Sequence, residues 1–164
     1  MSISIRFATP QDAETLYDFI CGLADYENEC DAVETSSETL RGQLQGEHPP
    51  FECLLAEQAG VAVGFALFFQ TYSTWRGVPG LYLEDLFVPI QRRGQGVGQA
   101  LLTRLAKVTV ERGFARLEWA VLNWNEPAIG FYKQLGAKPQ DEWTTYRLDR
   151  EALSQLAGSE VQGE

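Results

Sequence analysis

Histidine occurs once, at His48, and cysteine three times, at Cys21, Cys30 and Cys53, with no C-x-x-C among them. A single imidazole excludes a histidine-rich metal site and leaves a His-based triad elsewhere in the chain without its base. An odd number of cysteines at these spacings indicates neither a disulfide framework nor a zinc site, so reduced, partly buried thiols are expected and no metal is called for. Basic residues are also scarce: 13 Lys and Arg stand against 23 Asp and Glu, a formal charge of −10. That balance disfavours a nucleic-acid backbone as partner and favours a cationic one, although the same charge also serves plain solubility. No apolar run approaches the length that spans a bilayer, and no basic leader precedes a small-residue cleavage site. A soluble, cytoplasmic protein with no membrane partner is expected.

What is present suits one domain with a proper core: 164 residues, of which 45% are apolar. That domain is expected over residues 1–157, with 158–164 a small, polar, disordered tail. Ser2 to Ala8 alternates as a strand, and Thr9-Pro10 starts a helix with Leu16, Phe19, Ile20 and Leu23 on its buried stripe. The end of that helix carries an acidic cluster around an aromatic residue, Asp25-Tyr26-Glu27 with Glu29 and Asp31. Thr35-Ser-Ser-Glu38 has capping-box spacing and predicts a short helix to about Gln45. Phe51 to Glu57 and Val61 to Thr71 read as a hairpin across Gln58-Ala59-Gly60, and Tyr72 to Pro79 as a loop tip carrying Trp75. Leu117 to Leu122 is the next strand, Pro127 opens a helix that Gly136 ends, Trp143 to Leu148 is a last strand, and Asp149 to Leu156 a terminal helix.

The centre of the chain is LYLEDLFVPIQRRGQGVG, Leu81 to Gly98. It reads as a strand, a stop at Pro89, a glycine-rich loop, and a helix with Leu101, Leu102, Leu105 and Val108 at helical spacing. Bare N–H groups opening onto a helix N-terminus beside Arg92 and Arg93 suit a phosphate. A Walker A loop would need Gly-Lys-[Ser/Thr], which is absent, and the dinucleotide fingerprint has a different glycine spacing and an earlier place in the chain. What remains is Gln91-x-x-Gly94-x-Gly96, against the plain alternative of a tight strand-to-helix turn.

That loop resembles the pyrophosphate loop of the GNAT superfamily of acyl-CoA-dependent N-acetyltransferases. The segments GEHPPFECLLAE, VGFALFFQTYSTW, LYLEDLFV, RRGQGVG and NWNEPAIGFYKQLGA extend the likeness over roughly residues 3 to 150 and place it with the diamine, or spermidine/spermine, acetyltransferase group. The resemblance implies an α/β (α+β) fold with a mixed, mostly antiparallel central sheet flanked by helices on both faces. It implies acetyl-CoA as co-substrate, a small cationic diamine or polyamine as acceptor, and a homodimer. Carried over by residue, it makes Glu84 the base acting through water and Tyr132 the acid for the departing thiolate. The backbone of Leu86, Phe87 and Val88 becomes the hydrogen-bonding edge for pantetheine and the acetyl carbonyl. Arg93, Gly94, Gln95, Gly96, Val97, Gly98 and Gln99 become the pyrophosphate cradle, and Asn125, Glu126, Pro127 and Ala128 touch the pantetheine arm. Tyr26, Glu27, Asp85 and, more loosely, Glu142 line the amine site, together with Glu84. The likeness is weakest after Tyr26 and from Pro139 to Trp143, the segments that choose the amine.

The chemistry asks for a neutral amine, a held oxyanion and a proton for sulfur. An alkylammonium near pKa ~10.4 and a glutamate near ~4.3 make direct deprotonation uphill by roughly 8 kcal/mol. Glu84 therefore works with a raised pKa or by positioning a water. Tyr132 on helix spacing alone is a core aromatic, and it gains its role from the resemblance. Two alternatives stand beside the diamine reading: an acceptor that is a lysine-like amino acid with sulfur in its chain, as in the thialysine branch of the group, and a non-catalytic acyl-CoA-binding sensor.

Overall fold

β1 (Ser4–Phe7) realises the alternation at the start of the chain. Pro10–Asp12 then forms one turn of 3-10 helix, capped reciprocally by Thr9 and Asp12, and continues as α1 (Ala13–Tyr26). Asp12 serves twice. Its carboxylate accepts from the Thr9 N–H at 2.7 Å and receives the Arg6 guanidinium in two bonds of 2.8 and 2.9 Å. Arg6 also donates to Glu57 at 3.0 Å, so one guanidinium joins β1, the start of α1 and β2 (Glu52–Gln58). These contacts hold the Asp12 carboxyl down at about 2, with the Arg6 hydrogen bond the leading cause. The computed structural model in which these elements are seen describes residues 2–159, and the chain divides into two compact units, Met1–Ala120 and Val121–Glu164.

In the first unit, α2 (Ser37–Gln45) starts one residue later than the Thr35-x-x-Glu38 spacing suggests. Ser36 is the residue with extended backbone, and its hydroxyl takes the Thr39 N–H at 3.1 Å. β2 runs into β3 (Val61–Ser73) through Ala59-Gly60, both left-handed at φ 50° and 76°, the turn geometry that matches strand twist; Gln58, expected in the turn, is the last residue of β2. β3 and β4 (Val78–Phe87) pair nearly to their ends, so the tip is shorter than Tyr72 to Pro79. Ser73 closes it: its carbonyl accepts from the Gly77 N–H at 2.8 Å and its hydroxyl from the Arg76 N–H at 3.3 Å. Trp75 at this tip is 91% exposed.

After β4 come a 3-10 turn at Ile90–Arg92, α3 (Val97–Glu111) and β5 (Leu117–Trp119), shorter than the run to Leu122. The strands lie in the order β1-β2-β3-β4-β5, antiparallel throughout except for the parallel β4–β5 pair that α3 connects. This is the mixed, mostly antiparallel sheet expected, with helices on both faces. Cys53, Leu55, Phe65 and Leu67 face α1 and α2, where Leu16, Phe19 and Leu40 complete the core. α3 packs on β1 to β4, and Arg112 at its C-terminus holds Glu52 at the start of β2 by two bonds of 2.7 and 2.8 Å.

Two glycines permit the close approaches. A Cβ at Gly64 would lie 3.0 Å from the Phe87 carbonyl and 3.1 Å from Val97, so β3 admits the start of α3 only because that atom is missing. A Cβ at Gly22 would lie 2.8 Å from the Phe87 ring, which packs edge-on to Phe19 at 6.2 Å. Of the cysteines, Cys53 is buried, Cys21 half-buried and Cys30 exposed, its Sγ 3.3 Å from Asp25. None is in a disulfide, and no helix among the described residues is long and apolar enough to cross a membrane.

The second unit holds α4 (Glu126–Gln134) and α5 (Arg150–Ala157). Gly136, at φ 88°, terminates α4 as expected. The last strand does not form: Trp143 to Leu148 has no ladder partner among the described residues, and Trp143 and Tyr146 are exposed. Aromatic and β-branched residues favour a strand through cross-strand packing, and that preference lapses where no neighbour is supplied. Gly158 and Ser159 bond back to Ser154 and Leu156, and the rest of the expected tail, from residue 160, lies outside the described residues.

The Arg6–Asp12 pair sets an acid limit on stability. A carboxyl lowered on folding contributes fully above its ordinary value near 3.8 and loses that contribution as pH falls through about 2. With Arg6 half-exposed, water screens the pair, so Asp12→Ala should cost about 1 kcal/mol at neutral pH. The difference from wild type should shrink as pH falls below about 4 and be mostly lost by about pH 2. Urea melts at pH 7 and across the acid range check this; an equal difference at all pH values would contradict it.

Candidate active site

The site begins with a register fault. Leu67 pairs with Asp85 and Phe68 with Leu83, which leaves Glu84 as one extra residue on β4. Cross-strand partners share a face, so the bulge switches the phase of the strand: Leu83 shares its face with Phe68, whereas Asp85 and Phe87 share theirs with Leu67 and Phe65 beside α1. Glu84, at the fault, is exposed. Without the extra residue the alternation would send Asp85 to the face of Leu83.

The partner strand on the other side ends here as well. β5 pairs with Leu81, Tyr82 and Leu83 and stops at Trp119, while β4 runs on to Phe87. From Glu84 to Phe87, β4 thus has β3 on one side and no strand on the other among the described residues. Backbone groups on that side are available to an amide-bearing ligand. Val88, expected to share this role, lies beyond the strand, and its carbonyl accepts the Arg93 Nε at 2.9 Å.

Asp85 lies in the field of Glu27. Burial, then the charges of Glu84 and Glu27, push the Asp85 carboxyl up to about 6. Glu27, which caps α1 with its N–H on the Leu23 carbonyl at 2.9 Å, is raised by burial and by Glu29. Two carboxyls held above their usual range at the end of one helix and the bulge of one strand make a place where a cation would be stabilised. Tyr26, the last residue of α1, turns its ring to the Arg93 guanidinium, 4.4 Å from carbon to ring centre.

The glycine loop is built as expected. Gly94 and Gly96 are left-handed at φ 74° and 82°, Gly96 is the N-cap of α3, and a Cβ at either would meet no protein atom within 4 Å. Side chains are disfavoured there by backbone conformation, and the space above the loop is open. Gln95 bonds its side chain to the Gln91 carbonyl and to Gln58, both at 3.4 Å, rather than to the space above the loop. Val97 is buried, and Gly98 and Gln99 follow in the first turn of α3. A cavity of about 410 Å³ runs from the loop along α3, lined by Gly96, Gln99, Arg104 and Lys107, and no acidic residue lines it.

The remaining expected residues belong to the second unit. Asn125 caps α4 through the Ala128 N–H at 3.4 Å, with Glu126 and Pro127 in the first turn. Tyr132, half-buried on α4, packs its ring 5.5 Å from Phe131. Glu142 is exposed between α4 and α5. The bulge and the Tyr26–Arg93 contact were not anticipated. The first has a visible signal, since the apolar phase of LYLEDLF changes between Leu83 and Leu86; the second joins residues too far apart in sequence for any local pattern to reveal.

Comparison with known proteins agrees with this architecture. The model of the acetyltransferase (GNAT) family matches residues 17–137. Thialysine N-epsilon-acetyltransferase of Sus scrofa is 39% identical over 96% of this chain and 98% of its own length. The spermidine/spermine N(1)-acetyltransferase-like protein 1 of Homo sapiens is 32% identical over 95% of this chain and 24% of its own length. Among solved structures, an integron cassette protein from the mobile metagenome of V. cholerae superimposes with a TM-score of 0.81 at 27% identity, covering 97% of this chain and 99% of that one. The chain belongs to the GNAT acetyltransferase family, whose co-substrate is acetyl-CoA.

The Asp85 carboxyl should titrate near pH 6 when followed by carbon-13 NMR. Glu27→Gln removes a negative neighbour and should shift the titration downward, though burial keeps it above the ordinary 3.8. A wild-type titration at the ordinary value, or no response to Glu27→Gln, would refute the paired-carboxyl geometry.

Proposed function

We propose that this enzyme transfers the acetyl group of acetyl-CoA to the terminal amine of a lysine-like amino acid with sulfur in its side chain, rather than to a diamine or polyamine. The observation that carries the choice is the 39% identity, over nearly the full length of both chains, to a thialysine N-epsilon-acetyltransferase. The spermidine/spermine-like relative is less similar. The chemistry is compatible: sulfur in the chain withdraws electrons from the terminal amine, so more of it is neutral at a given pH and less work remains for the base.

In this reading Asp85 and Glu27 draw in the ammonium, and Glu84, exposed at the bulge, orders a water that carries its proton out. The neutral nitrogen attacks the thioester carbon. The oxyanion that forms is met by backbone N–H groups at the end of β4 and just beyond it, from Leu86 to Val88. As the C–S bond breaks, Tyr132 donates its phenolic proton to the sulfur, and the second proton shed by the nitrogen leaves through the water at Glu84 while solvent reprotonates the phenolate. The pyrophosphate rests on Arg93 to Gln99, held by N–H groups at a helix N-terminus, and Asn125 to Ala128 contact the pantetheine arm. Glu142 adds a carboxylate to the acceptor side. A cytoplasmic homodimer with neither nucleic acid nor membrane as partner completes the reading, supported by the group resemblance and the charge of −10.

Thiol release from acetyl-CoA, measured across thialysine, lysine, ornithine, putrescine, spermidine and an aminoglycoside, tests the acceptor. Thialysine should give the highest kcat/KM. A polyamine in first place restores the diamine reading, and CoA binding with no amine-dependent release points to a sensor. With the preferred amine, Tyr132→Phe should lower kcat with little change in acetyl-CoA affinity, whereas Gly94→Val and Gly96→Val should weaken acetyl-CoA far more than Gln95→Ala. The KM for the amine should rise as pH falls below about 6, because a protonated Asp85 offers an ammonium no charge. A KM flat from pH 8 to 5 would remove Asp85 from the acceptor side.

A further inference from the structure

Arg93 is a cation held without an anion. Its Nε donates to the Val88 carbonyl at 2.9 Å and its guanidinium lies 4.4 Å from the centre of the Tyr26 ring. No carboxylate pairs with it among the described residues, in a chain with 23 acidic side chains and with Glu27 adjoining Tyr26. A guanidinium lying over a ring spends its face on the π-system, while its N–H groups lie in its own plane. The bond to Val88 uses Nε, which leaves the terminal nitrogens as donors for an anion. The next residue is Gly94, followed by Gly96 at the N-terminus of α3.

The group resemblance places Tyr26 with the amine, but its ring contacts Arg93, beside the glycine loop. We propose that Tyr26 is a positioning residue for the acyl donor: its ring and the Val88 carbonyl together fix the Arg93 guanidinium so that its terminal nitrogens meet the pyrophosphate at the glycine loop. This rests on the reading of that loop as the pyrophosphate cradle. The end of α1, which carries Glu27 on the acceptor side, is thereby tied to the donor cradle through one stacked pair.

The test is calorimetric titration of the full chain with CoA, on wild type, Tyr26→Phe, Tyr26→Leu, Arg93→Lys and the Tyr26→Leu/Arg93→Lys double variant. Turnover is measured alongside with acetyl-CoA and with S-acetylpantetheine, which lacks the pyrophosphate. Tyr26→Phe keeps the ring and should bind CoA as wild type does, while Tyr26→Leu should weaken CoA about two- to fivefold, the scale of an exposed cation–π contact. Arg93→Lys keeps the charge and loses the planar stack, so Tyr26→Leu should cost nothing further in that background. With S-acetylpantetheine, Tyr26→Leu and wild type should share one KM for the donor. Additive losses in the double variant, or an equal penalty with the truncated donor, would overturn the proposal by showing that Tyr26 acts through general packing of α1. A raised amine KM with unchanged CoA affinity would also overturn it and return Tyr26 to the acceptor side. If Tyr26→Leu fails to fold, the Tyr26→Phe and Arg93→Lys pair still decides, since wild-type CoA affinity in Arg93→Lys is excluded by the proposal. A wild-type chain that binds S-acetylpantetheine but gains nothing from the pyrophosphate of CoA would instead defeat the cradle reading itself.

Discussion

The parallel pairing of β4 with β5 lasts from Leu81–Leu117 to Leu83–Trp119 and then stops, while the antiparallel pairing with β3 continues to Phe87. A strand with a ladder on one side and none on the other is a liability in most sheets, because its unpaired groups invite any passing edge. Here the same exposure is placed beside a helix N-terminus and a bulge, so the open edge, the positive end of α3 and the re-aimed Asp85 lie along one short stretch of chain. A β5 longer by two or three residues in register would close the edge. The chemistry of the site thus depends on a strand being short.

The bulge at Glu84 divides labour between adjacent carboxylates. Glu84 stays in water, while Asp85 is turned onto the face that α1 covers and shares the field of Glu27. Neighbouring residues on an unbroken strand would also point to opposite faces, but then Asp85 would follow Leu83 toward α3. One inserted residue decides which helix the half-buried carboxyl meets.

Much of this was legible in the sequence, and the limits were physical. Gly136 ends α4 in the left-handed conformation, as its place in the sequence suggested, and Gly94 and Gly96 of the loop adopt it too while Gly98 joins α3, since φ is a local property and glycine is its local signature. The β2–β3 hairpin and the existence of α1 to α4 are local in the same sense. Trp143 to Leu148 carried strand-like residues and formed no strand, because pairing is not local: a ladder needs a neighbour that the segment cannot specify. Thr35 and Ser36 competed for one cap, and backbone geometry chose between hydroxyls that the letters do not rank. The acidic residues were recognisable, but which of Glu84 and Asp85 would be buried followed from a register fault, and the stacking of Arg93 on Tyr26 from two distant segments meeting.

The missing side chain at Gly22 has a mechanical consequence. The helix approaches β4 until its backbone nearly touches the Phe87 ring, and a single methyl group at Gly22 would sit 2.8 Å from that ring. Tyr26 lies one turn further along the same helix, and Glu27 just beyond it, so a displacement at Gly22 would be transmitted along a stiff rod to the Arg93 stack and to the charge that Asp85 feels. The clearance between α1 and β4, and with it the placing of Tyr26 and Glu27, is therefore gauged by an atom that is not there.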